Sequence, residues 1–285
     1  MKDAANQERP WFNTANADYV IMELVVTEHV KLERKEGLLV LTLANPDGNR
    51  IGLGVLEGLR AAMVELKRPE TRAMLLRAEG PVFTYGADLT EFVTRPPAEL
   101  LVLMQEYVDI LGQIEASAKP TLAVVHGVCS SGGLELALAF DQIWAAAGTK
   151  IGFLEPNIAT PPLAGGVQRI AARAGRARAF EVTTSGDLYD AEQFERWNIV
   201  NRVLPMDTLQ AEAEAFATKW SDGPTLAYGG VKTLLRAWDR HGVAGADKIT
   251  IATVAPIMAS DDAKVAIKAH STRGQGRVKP TFFGR

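Results

Sequence analysis

Glu135 and the turn before it are the residues of this chain whose types and spacing are best suited to chemistry. Glu135 stands in an apolar stretch, LELALAF, that follows a turn containing Gly132. A carboxylate among leucines is costly to bury, and burial raises its pKa towards that of a proton-transfer group. The turn collects the free N–H groups of a helix N-terminus at one spot. Amides that hold an anion beside a carboxylate are what enolate chemistry needs.

A second segment repeats this strand-then-turn organisation. The sequence FTYGAD at 83–88 follows an apolar strand at 73–76 and turns at Gly86. Taken alone, either turn is more often a simple connector between a strand and a helix. The two turns in order, with Glu135 attached to the second, favour a functional site.

The elements that must position these turns are a series of strands alternating with helices, which favours a β/α spiral. Two apolar runs around Lys35-Glu36-Gly37 predict a hairpin. After Met206 the pattern is helical, and its apolar faces must pack on the core or on a neighbouring subunit. The predicted strands are 30–34, 38–43, 73–77, 121–125, 142–146 and 150–153. The predicted helices are 53–66, about 98–115, one from Gly132, and 207–220, 224–240, 245–258 and 261–270.

The motifs resemble those of the enoyl-CoA hydratase/isomerase (crotonase) superfamily. FTYGADL is similar to its AGAD-type segment, and SSGGLELALAFD to its GGG-x-E-LALACD-type segment; AGGVQRI at 164–170 and the chain's ending at 260–285 match as well. The resemblance covers roughly residues 25–285. It implies an α/β fold, with a crotonase-like β/α spiral core at 25–206 and a helical C-terminal region at 207–285. Residues 1–24 are polar and mixed, and we expect an N-terminal tail or arm there.

The resemblance also implies roles for individual residues. Two backbone N–H groups, those of Ala87 and Gly132, would form an oxyanion hole for a thioester enolate. In the resembling hydratases the position of Glu135 activates water, and the position of Glu155 serves Cα. Two carboxylates around one water permit hydration of a double bond, whereas one alone supports only a proton shuttle, which is isomerase chemistry.

Glu155 lies at the family's hydratase spacing from Glu135, but its setting departs from the pattern. Family members usually read Pro-Glu, whereas this chain reads Leu154-Glu155-Pro156. A slip of one residue could turn the carboxylate away from the site, so a structural loop glutamate is the alternative interpretation.

Other departures concern the substrate-binding candidates Tyr85, Asp88, Leu89 and Thr90. Thr90 replaces a lysine of the family's ADLKE and so removes a phosphate contact for coenzyme A. Tyr85 replaces a smaller residue and is expected to crowd the acyl pocket, and Asp88 is expected to be a turn or cap residue. Ser131 stands where a glycine is common.

The sequence therefore predicts an enoyl-CoA hydratase that acts on an acyl-CoA thioester, without a cofactor other than the coenzyme A of the substrate. The alternatives are an enoyl-CoA isomerase or acyl-CoA hydrolase on the same site, a non-CoA β-diketone C–C hydrolase, and a catalytically dead family member. The resemblance implies a homo-oligomer, either a trimer or a dimer of trimers.

Composition adds several expected absences. The net charge of −3 lacks the excess of basic residues that is typical of nucleic-acid-binding proteins, so we expect no nucleic-acid partner. No apolar run is long enough for a membrane span, and no secretory signal is evident. The single Cys129 fits a reducing cytosol, so we expect a cytoplasmic protein. The four histidines lack metal-ligand spacing and no phosphate or dinucleotide loop is present, so we expect no metal and no nicotinamide.

Overall fold

The computed structural model describes residues 21–271 and 280–284. Most of the tail expected at 1–24 and part of the C-terminal ending lie outside these residues. The strands are β1 (Ile21–Val26), β2 (Val30–Lys35), β3 (Leu38–Leu43), β4 (Ala73–Ala78), β5 (Thr121–Val125), β6 (Val128–Ser130), β7 (Gln142–Ala146), β8 (Lys150–Gly152), β9 (Leu188–Asp190) and β10 (Arg202–Leu204). The helices are α1 (Leu53–Lys67), α2 (Leu89–Thr94), α3 (Pro97–Ala116), α4 (Gly132–Leu138), α5 (Gly166–Ala174), α6 (Arg176–Thr184), α7 (Ala191–Arg196), α8 (Met206–Ser221), α9 (Thr225–Met258) and α10 (Asp261–Ser271), with a 3₁₀ helix at Glu155–Ile158.

Seven strands form the main sheet, in the order β1-β2-β3-β4-β5-β7-β10. The first three strands are antiparallel neighbours, and the later strands pair in parallel through helical crossovers. A second, three-stranded sheet has the order β6-β8-β9. The predicted hairpin and the predicted α/β class with a helical C-terminal region are confirmed. Strand β1 begins at Ile21, inside the segment expected to be a tail, and its backbone pairs with β2.

The main sheet is buried on both faces, as the continuous apolar run of β3 requires. One face packs against α1, α3 and α4 in the larger hydrophobic cluster. The other face is covered by α8, whose Leu209, Ala213 and Ala217 lie four residues apart along the helix and are fully buried. The first helix of the C-terminal region therefore belongs to the core of the same chain.

Helix α9 is interrupted at Gly242, whose φ of 65° and ψ of −172° are not helical. Gly230 in its first half faces Thr253 and Ile257 in its second half, so the halves fold back on each other. The sequence prediction of two helices around this point is confirmed. Within the described residues, no single helix has the length and hydropathy to cross a membrane; α9 and α10 meet the test only as a pair bent by 81°.

Candidate active site

A cavity of about 360 Å³ lies where the N-terminus of α4, the 3₁₀ helix and one face of α3 meet. Its walls are mainly apolar, and α3 contributes Leu100, Leu103, Met104 and Tyr107, which share one helical face. Most of the sequence-predicted site residues line it. These are Tyr85, Ala87, Asp88, Leu89, Gly132, Glu135 and Glu155.

Two backbone amides, those of Ala87 and Gly132, are adjacent at one side of the cavity. Ile51 bridges the residues on either side of Ala87: its N–H donates to Gly86 O (2.8 Å) and its carbonyl accepts from Asp88 N (3.0 Å). Gly132 is the first residue of α4, where no carbonyl of the helix can accept its N–H. A Cβ on Gly132 would lie 3.7 Å from Ala87 N. Neither amide donates a hydrogen bond to another described residue, so both are available to a ligand oxygen.

Glu135 is held by the backbone of a distant loop. Its Oε1 accepts hydrogen bonds from Ala164 N (2.7 Å) and Gly166 N (2.8 Å), and the residue is only 2% exposed. Burial raises the pKa of Glu135 to about 7, because the two amides and Arg169 offset only part of the desolvation and Glu155 adds repulsion. Oε2 makes no hydrogen bond to the described residues, which leaves it for the cavity. The group can therefore exchange protons near neutral pH.

The loop that holds Glu135 is itself held by Arg169. Its Nη1 donates to Ala164 O (2.8 Å), while Nε and Nη2 form a bidentate pair with Glu115 (2.9 and 2.7 Å). Gly165 has a φ of 97°, a conformation that glycine adopts readily. Sequence reasoning matched AGGVQRI as a motif but assigned none of its residues a role; the two adjacent glycines were the available signal.

Glu155 is the first residue of the 3₁₀ helix and lines the same cavity. The Leu154-Glu155-Pro156 order does not turn the carboxylate away. Burial raises the pKa of Glu155; its own amide, the Ser131 hydroxyl and the Leu154 amide oppose that rise. The structure thus brings a second titratable carboxylate to the unpaired amides.

Ser131 is the residue that sequence reasoning noted only as a departure. Its Oγ donates to Glu155 Oε2 (3.0 Å) and accepts from Leu154 N (3.3 Å). Its φ of 55° and ψ of −130° are unfavourable for a residue with a side chain, at a cost of about 1–3 kcal/mol. The serine in a glycine position was the sequence signal, but its contact with Glu155 depends on the fold.

The remaining substrate-binding candidates have different positions. Tyr85 lies in the cavity wall with the guanidinium of Arg50 5.5 Å from its ring centroid. Asp88 caps α2, and its hydrogen bonds from the Thr90 hydroxyl (2.6 Å) and amide (2.9 Å) lower the pKa of Asp88. Leu89 lines the cavity, whereas Thr90 lies outside it and lines a neighbouring polar cleft. Thr90 therefore contacts Asp88 rather than the cavity.

The histidines and the cysteine of the described residues were also candidates for chemistry. Within residues 21–271 and 280–284, no three or more His, Cys, Asp or Glu are grouped so as to hold a metal ion. His126 is buried with Nε2 2.9 Å from Gly80 O, and burial raises the pKa of the Cys129 thiol. Neither His126 nor Cys129 lines the cavity.

The α/β core thus places two unpaired amides beside two buried carboxylates, Glu135 and Glu155. Residues 33–275 match the family "Enoyl-CoA hydratase/isomerase", and the chain belongs to this family.

Similar proteins agree with this assignment. The chain is 30% identical over 269 residues to an enoyl-CoA isomerase/hydratase of Mycosarcoma maydis, covering 92% of this chain and 94% of that protein. It is 32% identical over 195 residues to the cyclohexa-1,5-dienecarbonyl-CoA hydratase of Thauera aromatica, covering 68% and 71%. The structure of a Geobacillus kaustophilus enoyl-CoA hydratase superposes with a TM-score of 0.87 at 22% identity, covering 93% of this chain and all of that one. That last likeness shows the crotonase fold.

Proposed function

We propose that the protein is an enoyl-CoA hydratase, which adds water across the 2,3 double bond of an enoyl-CoA thioester. The observation that carries the proposal is that Glu135 and Glu155 line one cavity with the unpaired amides of Ala87 and Gly132. Membership of the enoyl-CoA hydratase/isomerase family supports a CoA thioester as the substrate class.

In this proposal the thioester oxygen binds between the amides of Ala87 and Gly132. When a nucleophile adds to Cβ, negative charge moves through Cα onto that oxygen. Donors already in place stabilise the charge without reorganisation, each by about 2.7–4 kcal/mol in comparable sites. Backbone donors also leave the cavity side chains free to fit the acyl group.

Water supplies both added groups, and the two carboxylates divide its protons. Glu135, through the Oε2 that faces the cavity, takes a proton from water as the oxygen bonds to Cβ. Glu155 delivers a proton to Cα. The net result is OH on Cβ and H on Cα, with the carboxylates returning to their initial states after proton exchange.

Double-bond isomerisation is the second candidate. It needs one carboxylate that gives and accepts a proton at neutral pH, and burial raises the pKa of Glu135 to about 7. A single carboxylate would then move a proton between two carbons, with no water added.

The test is an absorbance assay at the enoyl-thioester band with crotonyl-, decenoyl- and aryl-enoyl-CoA, followed by mass spectrometry. Hydration removes the absorbance and adds the mass of one water. Isomerisation leaves the mass unchanged, and thioester hydrolysis releases free CoA thiol. Turnover without addition of water for every substrate would overturn the hydratase proposal.

We also propose that the protein forms a trimer or a dimer of trimers. The first half of α9 exposes several apolar side chains, which support an interface there: Leu226, Val231, Leu235 and Trp238. Sedimentation should show an oligomer at micromolar concentration. A stable monomer under those conditions would contradict this assembly.

A further inference from the structure

We propose that Ser131 is a positioning residue for hydration, whose hydroxyl fixes Oε2 of Glu155 so that the carboxyl group presents its other oxygen to the substrate. This inference rests on the proposed hydratase function. It goes beyond it by assigning the orientation of the second carboxylate to a single side chain.

The backbone is the first line of argument. Ser131 has a φ of 55° and a ψ of −130°, where a Cβ is unfavourable and glycine is not. The turn itself does not need a side chain, since its bonds are made by the backbone: Ser131 N donates to Gly152 O (3.0 Å), and Glu135 N donates to Ser131 O (3.1 Å). What serine adds over glycine is the hydroxyl.

The direction of the hydroxyl proton follows from its two partners. Leu154 N donates to Oγ (3.3 Å), so Oγ serves as the acceptor of that bond. The O–H of Ser131 then donates to Glu155 Oε2 (3.0 Å). The series Leu154 N–H, Ser131 O–H and Glu155 carboxylate is thus a chain of hydrogen bonds with one polarity. It holds Oε2, and Oε1 carries no hydrogen bond from another described side chain.

The position of Ser131 also connects both halves of the reaction. The next residue is Gly132, whose amide is one of the two oxyanion donors, and the hydroxyl ends on the carboxyl that serves Cα. Cα is adjacent to the thioester carbonyl, so a proton donor for Cα must be held close to the oxyanion donors. One residue that joins the two sets this distance directly.

Donation to Oε2 also favours the ionised form of Glu155, against the effect of burial, which raises the pKa of this group. Loss of the hydroxyl should therefore raise that pKa and free the carboxyl to rotate. Both effects alter proton delivery to Cα, while the groups that bind the thioester oxygen remain in place.

The experiment compares Ser131→Ala with Ser131→Gly in the hydration assay. Both lose the hydroxyl; alanine keeps the unfavourable Cβ, whereas glycine removes it, so the glycine variant should unfold at the higher temperature. We expect kcat to fall by about 10- to 100-fold in both, since misplacement of a reacting group costs that much, with KM little changed. The limb of the pH–rate profile that belongs to Glu155 should move to higher pH.

Two further variants sharpen the test. Ser130→Ala is the matched control, because the neighbouring Ser130 is fully buried and its Oγ has no partner among the described residues. It should leave kcat unchanged. In a Glu155→Gln background, Ser131→Ala should lower kcat by a much smaller factor than it does in the wild type, because the two residues act as a unit.

A Ser131→Gly variant with wild-type kcat and pH profile would overturn the inference. So would an equal loss from Ser131→Ala with and without Glu155, which would mean a role outside this pair. If alanine fails to fold, the glycine variant still decides, because glycine adopts this backbone conformation readily. A wild-type protein that hydrates no enoyl-CoA would overturn the proposed function and this inference with it, whereas the other two outcomes overturn the inference alone.

Discussion

The two carboxylates of the cavity differ in their hydrogen-bond partners. Glu135, on α4, is held by the backbone amides of Ala164 and Gly166. Glu155, on a 3₁₀ turn, is held by the hydroxyl of Ser131 together with amides of its own turn. Backbone donors do not depend on the identity of the residue that carries them, whereas a hydroxyl is lost by one substitution. The geometry of Glu135 is thus set by the path of the backbone, and that of Glu155 depends in addition on one side chain.

The difference matters because the proposed reaction needs one base and one acid from two residues of the same type. Burial raises the pKa of both glutamates, to about 7 for Glu135. The proposed reaction gives the two residues different roles, as pairs of carboxylates have in other acid–base sites. Substitution of each carboxylate and of the residues that contact it tests whether the two roles differ.

The largest effect is expected from removal of either carboxylate. Glu135→Gln and Glu155→Gln should each lower kcat for hydration by roughly 10²–10⁴, the contribution of a general acid or base. Substrate binding should change little, because the amides of Ala87 and Gly132 remain. Glu79→Gln is the control, since Glu79 pairs with Lys31 at the surface. Wild-type hydration by Glu155→Gln would overturn the mechanism with two carboxylates.

Much of the scaffold for this comparison could be predicted from the sequence. Core strands such as β3 and β5 are short apolar runs, and helices such as α1 have a long apolar stripe, so periodicity finds both. The interruption of α9 near Gly242 was also predicted, because glycine and polar residues separate two helical patterns there. Strand β1 was not predicted, since its edge position gives only a short pattern after a polar segment.

The partners of the carboxylates could not be predicted in the same way. Ala164 and Gly166 act through their N–H groups, which every residue except proline possesses, so their side chains carry no sign of the contact. Ser131 is adjacent to Gly132 in sequence, but its contact with Glu155 requires β6 and β8 to pair side by side. Sequence predicts which residues are reactive; tertiary pairing decides what orients them.

The next effect is on stability and concerns Glu135 alone. Its pKa rises from 4.5 to about 7 on folding, so the folded state is penalised as pH rises from about 4.5 through 7. A neutral glutamine avoids a penalty of about 3 kcal/mol at pH 8, at about 1.4 kcal/mol for each factor of ten. We expect Glu135→Gln to be more stable than wild type in urea unfolding at pH 8. The gain should shrink to below about 1 kcal/mol at pH 5.

Equal stability at pH 8 would mean that the two amides compensate fully for the burial of the charge. The backbone would then be a better partner than the Ser131 hydroxyl. The same measurement on Glu155→Gln allows the cost of burying the two carboxylates to be compared. We expect Glu155→Gln also to be more stable than wild type at pH 8, because burial raises the pKa of Glu155 as well.

The smallest effect concerns Arg169, the side chain through which a substitution could reach the backbone site of Glu135. Arg169→Met removes the hydrogen bond to Ala164 O and a cation that lowers the pKa of Glu135. That pKa should rise, so the carboxylate needed as a base forms only at higher pH. The ascending limb of the plot of kcat/KM against pH should therefore shift to higher pH. At pH 7 we expect kcat/KM to fall about tenfold, which corresponds to about 1.4 kcal/mol.

Glu115→Gln is the matched control for this prediction. It weakens the bidentate pair that anchors Arg169 but keeps the cation and its bond to Ala164 O. It should lower the rate less than Arg169→Met and leave the ascending limb in place. If Arg169→Met itself keeps the wild-type pH profile, then Glu135 depends on the chain path alone. Of the two carboxylates, only Glu155, whose orientation we assign to the Ser131 hydroxyl, would then depend on a side-chain partner.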